Sequence, residues 1–264
     1  MPVRSPLVNV MARAAEKAGR VLVRDFGEVE QLQVSRKGPS DFVTNADTKA
    51  EKILMEELGR ARPDFGFWLE ESGKVNEGKP ERWLVDPLDG TLNFLHGVPI
   101  WAISIAAERE GEIIAGVIYE PLTDQLFWAD KGVGAFVGHQ RLRVSSRRDM
   151  SEALTGFSMV PRGMQTRDET LIQQLSKQVA GLRRIGSSAL NLAYTAAGRF
   201  DAYWCKNMNP WDVAAGVLMI REAGGLVTSI EGDANPVYGT TLVASNYHLH
   251  KQLVELARQP VQAA

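Results

Sequence analysis

The chain has 264 residues, enough for one large domain or two closely packed ones with a sizeable core. Thirty basic residues against 32 acidic ones leave a net charge of −2, which excludes a global field pulling the chain to nucleic acid or an acidic membrane. One cysteine excludes an intrachain disulfide, no apolar run is long enough to span a bilayer, and Met1-Pro-Val-Arg-Ser lacks the apolar core of a signal peptide, so a cytoplasmic protein is expected.

In chain order, Val8, Met11, Ala12, Ala15, Ala18, Leu22 and Phe26 recur at helical spacing, and Gly27 stops the run. A second helix is expected from about Ala46, with Ala46, Ala50, Ile53, Leu54 and Leu58 on one stripe. Thr44 followed by Asp47 makes a capping box at its start, with Asp in the place usually taken by Glu or Gln. Phe65-Gly66-Phe67-Trp68-Leu69 reads as a strand, and so does Trp83-Leu84-Val85. Residues 99–109 and 113–119 read as a hairpin turning at Glu110-Gly111-Glu112, and 126–129 and 134–137 add short strands. Residues 1–145 therefore form one half, two helices on a largely antiparallel sheet.

The half 146–264 alternates. A strand is expected at 153–158, a helix at 168–180, and a helix at 187–197 capped by Ser187 or Ser188. There follow a strand at 200–205, a helix holding Asp212 and stopped by Gly224-Gly225, strands at 226–229 and 241–244, and a last helix at 247–258. That alternation favours a mixed or parallel sheet. The fold class is α/β (α+β), and the tight boundary puts the site between packed halves.

The chemistry concentrates at strand ends. After Trp83-Leu84-Val85 comes Asp86-Pro87-Leu88-Asp89-Gly90-Thr91-Leu92, with two carboxylates and an intervening carbonyl on one turn. That oxygen set suits Mg²⁺ or Mn²⁺ rather than zinc, although Asp-Pro and Asp-Gly steps are also ordinary turn chemistry. Glu70-Glu71-Ser72 ends the preceding strand, and neighbouring glutamates there repel unless one turns inward to a partner. Asp212, in Trp211-Asp212-Val213-Ala214-Ala215-Gly216, sits in a first helical turn after Pro210, where it serves as a cap or as a site residue. Asp47 carries the same two readings.

The ordered set of Asp47, Glu70-Glu71-Ser72, Asp86-Pro-Leu-Asp-Gly-Thr91 and Trp211-Asp212-Val-Ala-Ala-Gly216 resembles the inositol monophosphatase family across nearly the whole chain. The resemblance implies a layered α-β-α-β-α sandwich, a homodimer, and a Mg²⁺-dependent, lithium-sensitive phosphomonoesterase using two or three ions. It assigns Glu70, Asp86 and the Leu88 carbonyl to a first ion, and Asp86, Asp89 and Asp212 to a second. A weaker third ion lies near Glu70. Thr91, tied to Asp47, orients the attacking water, and the Gly90 and Thr91 amides grip the phosphate. Such an ion set answers a slow reaction whose transition state spreads negative charge over the phosphoryl oxygens.

On the alcohol side the resemblance points to Ser187, Ser188, Asp212 and position 205. Family members acting on inositol phosphates commonly carry glutamate at that last position; here it is Cys205, a neutral residue that either meets substrate or simply packs. Arg183 and Arg184 are open to a substrate or interface role, and Trp204 and Trp211 to an aromatic wall or to the core. No role is assigned to His96 or His139, because metal-held water supplies the leaving-group proton. Inositol 1-phosphate or a related polyol phosphate is the expected substrate. Histidinol phosphate, fructose 1,6-bisphosphate and a 3′-phosphonucleotide are alternatives, and a non-catalytic regulatory binding protein is the alternative of another class.

Overall fold

A computed structural model of the chain describes residues 3–28, 34–38, 41–159 and 166–258. Helix α1 (Pro6–Phe26) leads to a short hairpin of β1 (Val34–Gly38) and β2 (Asp41–Thr44), then to α2 (Asn45–Ala61), β3 (Gly66–Leu69), β4 (Gly73–Val75), β5 (Glu81–Asp89) and α3 (Thr91–Leu95). The meander β6 (Ala102–Arg109), β7 (Glu112–Glu120), β8 (Gln125–Asp130), β9 (Gly134–Val137) and β10 (Gln140–Arg141) completes the first sheet. The rest runs β11 (Leu154–Met159), α4 (Thr166–Gln178), β12 (Gly181–Arg183), α5 (Ser188–Ala196), β13 (Ala202–Lys206), α6 (Pro210–Glu222), β14 (Leu226–Thr228), β15 (Thr241–Ser245) and α7 (Tyr247–Arg258).

The first sheet has the order β10-β9-β8-β7-β6-β5-β3-β4 and is antiparallel except between β3 and β5. The second has the order β12-β11-β13-β15-β14, with β11 parallel to both β12 and β13 and the remaining pairs antiparallel. This is the antiparallel-then-mixed division expected from the sequence. The β1–β2 hairpin, β4 and β12 are additions, because their short polar runs carry no apolar period.

Three apolar clusters build five layers. Val8, Met11, Ala15 and Leu22 of α1 and Leu54 and Leu58 of α2 pack against Trp83, Val85, Ile103 and Val117 on one face of the first sheet. Leu84, Ala106 and Ile118 on its other face meet Leu190 and Leu192 of α5 and Val217 and Ile220 of α6, which also pack on Tyr203 and Leu242 of the second sheet. Leu171, Leu175, Leu249 and Leu253 of α4 and α7 cover the outer face of that sheet with Trp204 and Val243. The order is α-β-α-β-α. The α5–α6 layer is shared by both sheets, so residues on its helix starts face the ends of strands in the other half. A Cβ at Gly116 of β7 would sit 2.9 Å from Ala215 Cα; its absence lets α6 lie directly on the sheet.

Candidate active site

The Asp86–Asp89 turn depends on a break in the strand register. Residues an odd number apart on a regular strand point to opposite faces. Here Asp86 pairs with Ser104 and Asp89 with Ala102, so β5 advances three residues while β6 advances two. The extra residue is a bulge, and it brings both carboxylates to the face covered by α6. Pro87, which has no N–H to lose from the ladder, falls inside it. The Leu88 N–H then bonds back to Asp86 Oδ1 at 2.9 Å, while the Leu88 side chain is buried with α1 and α2 on the opposite face.

Gly90 follows with φ +103°, and a Cβ there would stand 3.0 Å from the Ile100 carbonyl oxygen, so the chain turns sharply into α3 only with glycine. That helix is five residues long, shorter than the motif suggests, and the exposed His96 is the residue just after its end. The Thr91 hydroxyl lies 3.1 Å from both Asp47 Oδ1 and the Leu88 carbonyl oxygen. Asp47 also closes the capping box, accepting from Thr44 N–H at 2.9 Å and the Thr44 hydroxyl at 2.6 Å. Capping and site contact are thus two oxygens of one carboxylate. Burial raises the Asp47 pKa, against the lowering effect of those hydrogen bonds.

Asp89 is anchored across the domain. The Ser187 hydroxyl and the N–H groups of Ser188 and Ala189, at 3.2 and 2.8 Å, all donate to its carboxylate at the start of α5. Ser187 and Ser188 are buried. Of the two serines that the sequence pointed toward the substrate, Ser187 holds Asp89 through its hydroxyl and Ser188 through its backbone N–H. Asp212 uses one oxygen as an ordinary cap, accepting from Asn209 N–H at 2.8 Å, and the start of α6 is fixed to β6 by Ser104, whose hydroxyl donates to the Trp211 carbonyl at 3.0 Å.

These acids act on one another. Burial and the fields of Glu70, Asp89 and Asp212 push Asp86 well above the usual carboxylate range, and Asp86 is in hydrogen-bonding contact with Glu70 and Asp212. Burial raises Asp89 to about 6 despite its three donors. Burial and the Asp89 charge raise Asp212 to about 7. No Lys or Arg figures among the groups that shift any of the three. Among the described residues no three acid, imidazole or thiol groups are already drawn around one ion position. An all-oxygen donor set with excess negative charge and no opposing side-chain cation fits a hard divalent ion.

The turn 70–72 is fixed by a residue that the motifs did not single out. Glu51, buried on α2 one turn after Asp47, accepts from Glu71 N–H at 2.8 Å, from Ser72 N–H at 3.0 Å and from the Ser72 hydroxyl. A charged residue in the middle of an apolar stripe was the available signal.

Cys205 lies in β13 with its thiol buried beside Tyr203 and Asp212, and burial pushes its pKa up to about 12. Trp204 belongs to the outer core, away from the site, and Trp211 packs edge-on to Trp68 with ring centroids 5.9 Å apart. Arg183, Arg184 and His139 are exposed.

The sequence matches the inositol monophosphatase family over residues 4–262. This chain belongs to that family. It is 50% identical to the inositol-1-monophosphatase of Rhizobium meliloti, with 98% of each chain covered, and 54% identical to that of Caulobacter vibrioides, with 94% of this chain and 99% of the relative covered. The crystal structure of the extragenic suppressor protein suhB from Bartonella henselae superposes with a TM-score of 0.95 at 48% identity, over 97% of this chain and all of that one. The family consists of metal-dependent phosphatases, generally using Mg²⁺, and this member is a phosphoric monoester hydrolase. No helix among the described residues is long and apolar enough to cross a membrane.

Proposed function

We propose that this inositol monophosphatase family member hydrolyses inositol 1-phosphate or a closely related polyol phosphate in the pocket formed by Glu70, Asp86, Asp89, Thr91 and Asp212. One observation carries the site assignment: three buried aspartates converge, all raised by burial, with Asp86 raised further by the charges of Glu70, Asp89 and Asp212 and Asp212 by that of Asp89. The relatives named inositol-1-monophosphatase support the substrate.

On this reading Glu70, Asp86 and the Leu88 carbonyl would hold a first Mg²⁺, and Asp86, Asp89 and Asp212 a second; Glu70 would also serve a weaker third ion, and Mn²⁺ could substitute. Bound ions supply positive charge to the phosphoryl and leaving oxygens and make water a better nucleophile at neutral pH. The protein does the rest. Thr91 gives its single proton to Asp47 or the Leu88 carbonyl, which leaves Oγ1 lone pairs facing the site to accept a hydrogen bond from the attacking water. The Gly90 and Thr91 amides bind phosphate oxygens where glycine keeps the approach open. Ser187 and Ser188 keep Asp89 oriented, and Cys205, beside Asp212, lies on the alcohol side without an anionic acceptor for sugar hydroxyls.

The halves 1–145 and 146–264 contribute the two sides of this pocket, with Asp212 arriving from the second. The family resemblance supports a homodimer, and the lone cysteine supports a cytoplasmic location.

The test is phosphate release with Mg²⁺ from inositol 1-phosphate, histidinol phosphate, fructose 1,6-bisphosphate and a 3′-phosphonucleotide, each with and without chelator. Preference for inositol 1-phosphate, abolished by chelation, is the expected result. Preference for another substrate moves the chain to a sister activity. Release from none, with Mg²⁺ bound, leaves a regulatory binding protein on this fold.

A further inference from the structure

We infer that Glu51 is a positioning residue that sets the metal affinity of the site by holding Glu70 in place, an inference that rests on the metal reading above. Glu51 does not face the site. It is buried on α2, only 2% exposed, and spends both carboxylate oxygens on the turn that follows Glu70. Oε2 accepts from Glu71 N–H at 2.8 Å; Oε1 accepts from Ser72 N–H at 3.0 Å and from the Ser72 hydroxyl. All three partners are donors, so the position calls for a group that only accepts, which an ionised carboxylate is and an amide is not. On its other side Glu70 is tied by its own N–H to the Val85 carbonyl at 3.2 Å, one residue before Asp86. Glu70 is thus bracketed between β5 and α2.

The placement on α2 adds a second consequence. Asp47 and Glu51 are four residues apart, on one face of the helix and about 5–6 Å from each other along it. Asp47 bonds Thr91, and Glu51 bonds the Glu70 turn. A single rigid helical turn therefore fixes the spacing between the loop that orients water and the loop that supplies a metal carboxylate. Outer groups that orient a ligand in this way typically govern metal affinity by ten- to a hundredfold. Their loss loosens the ligand without removing any atom that touches substrate.

The experiment is calorimetric titration of Mg²⁺ into metal-free full-length protein, wild type against Glu51→Gln and Ser72→Ala, with phosphate release measured over the same Mg²⁺ range. In Glu51→Gln the amide NH₂ must face one of the three donors. The expected result is a Mg²⁺ dissociation constant raised about tenfold or more, a parallel rise in the Mg²⁺ needed for half-maximal rate, and turnover at saturating Mg²⁺ within about twofold of wild type. Ser72→Ala removes one donor at an exposed residue and should weaken Mg²⁺ binding by a few fold. It carries the test alone if Glu51→Gln loses its cooperative melt. Unchanged Mg²⁺ affinity in the folded variants would overturn the inference, and so would a turnover loss that saturating Mg²⁺ does not restore. Absence of Mg²⁺ binding in the wild type is a separate failure, of the site reading itself, and it takes this inference with it.

Discussion

Ser187 donates its hydroxyl proton to Asp89 while accepting the N–H of Leu190 at 3.1 Å, so one side chain both caps α5 and holds a site carboxylate 98 residues earlier in the chain. With Ser188 and Ala189 adding their N–H groups, the positive end of α5 is aimed at Asp89. Burial works in the opposite direction and wins, because Asp89 still rests at about 6. Asp89 and Asp212, at about 6 and about 7, thus stand where a cation can displace a proton near neutral pH.

Ser187→Ala removes the α5 cap and one of the three donors together. Loss of an N-cap and a buried hydrogen bond should lower stability by about 1–2 kcal/mol, read as a lower midpoint in urea. Asp89 should move above its present value of about 6, and the pH needed for Mg²⁺ binding should rise with it. An unchanged pH dependence of Mg²⁺ binding would separate Ser187 from Asp89.

Asp86→Asn tests whether the acids are a functional burden. Asp86 lies in the fields of Glu70, Asp89 and Asp212, all of the same sign. Replacing it by a neutral residue of similar shape should raise the melting temperature of the metal-free protein near neutral pH. It should also abolish the further rise that Mg²⁺ gives the wild type and cut turnover by orders of magnitude. A metal-free variant that melts below wild type would mean the carboxyl is worth more as a hydrogen-bond donor than it costs as a charge.

The pH dependence follows from the same groups. Asp89 at about 6 and Asp212 at about 7 both stand above the 3.8 of an unfolded aspartate. Between these values the folded chain holds more protons than the unfolded one, so stability falls as pH rises. In the metal-free protein their contribution is fully present below pH about 4 and is lost by pH about 7. With Mg²⁺ the order reverses, because the ion needs the deprotonated acids, and the Mg²⁺-induced shift in melting temperature should grow from pH 5 to pH 8. Melts with and without Mg²⁺ across that range check both signs.

Cys205 gives a prediction of access. Its thiol is buried and pushed up to about 12, so thiolate is scarce at neutral pH. A disulfide reagent should label almost nothing in the folded protein and one equivalent after unfolding. Rapid labelling that substrate blocks would instead make Cys205 an open wall of the alcohol side.

The helices and the two sheet types were legible because their apolar periods are long, and the acids because they sit at strand ends beside turn residues. Short length made the β1–β2 hairpin, β4 and β12 illegible: β4 and β12 are edge strands held by a neighbour already in the sheet, and β1 and β2 pair only with each other. The sequence put Asp86 and Asp89 on one turn, but that the turn is a bulge inside β5 was hidden, since only pairing with Ser104 and Ala102 reveals the extra residue. Ser187, Ser188 and Glu51 show the limit most clearly. The sequence offered a helix cap or a substrate contact for the serines and nothing special for Glu51. Their partners, Asp89 and the 70–72 turn, lie 98 and about 20 residues away and meet them only after the layers pack.

Thr91 separates positioning of water from binding of phosphate. Its hydroxyl has one proton and two acceptors at the same 3.1 Å, Asp47 Oδ1 and the Leu88 carbonyl oxygen, so an oxygen lone pair remains for an incoming water whichever acceptor is used. Thr91→Ala keeps the backbone amide proposed to bind phosphate and deletes only the hydroxyl. Turnover should fall by about 10²-fold or more while KM moves by no more than a few fold. Thr91→Ser keeps the oxygen and should retain most of the rate, although its freer χ1 lets the hydroxyl leave Asp47. Asp47→Asn should resemble Thr91→Ala in turnover. Three donors now converge on Asp47, from Thr44 N–H, the Thr44 hydroxyl and Thr91, and an amide cannot accept them all. Steady-state kinetics of the three variants at saturating Mg²⁺ decide the matter: a change confined to KM would move Thr91 from orienting water to holding phosphate.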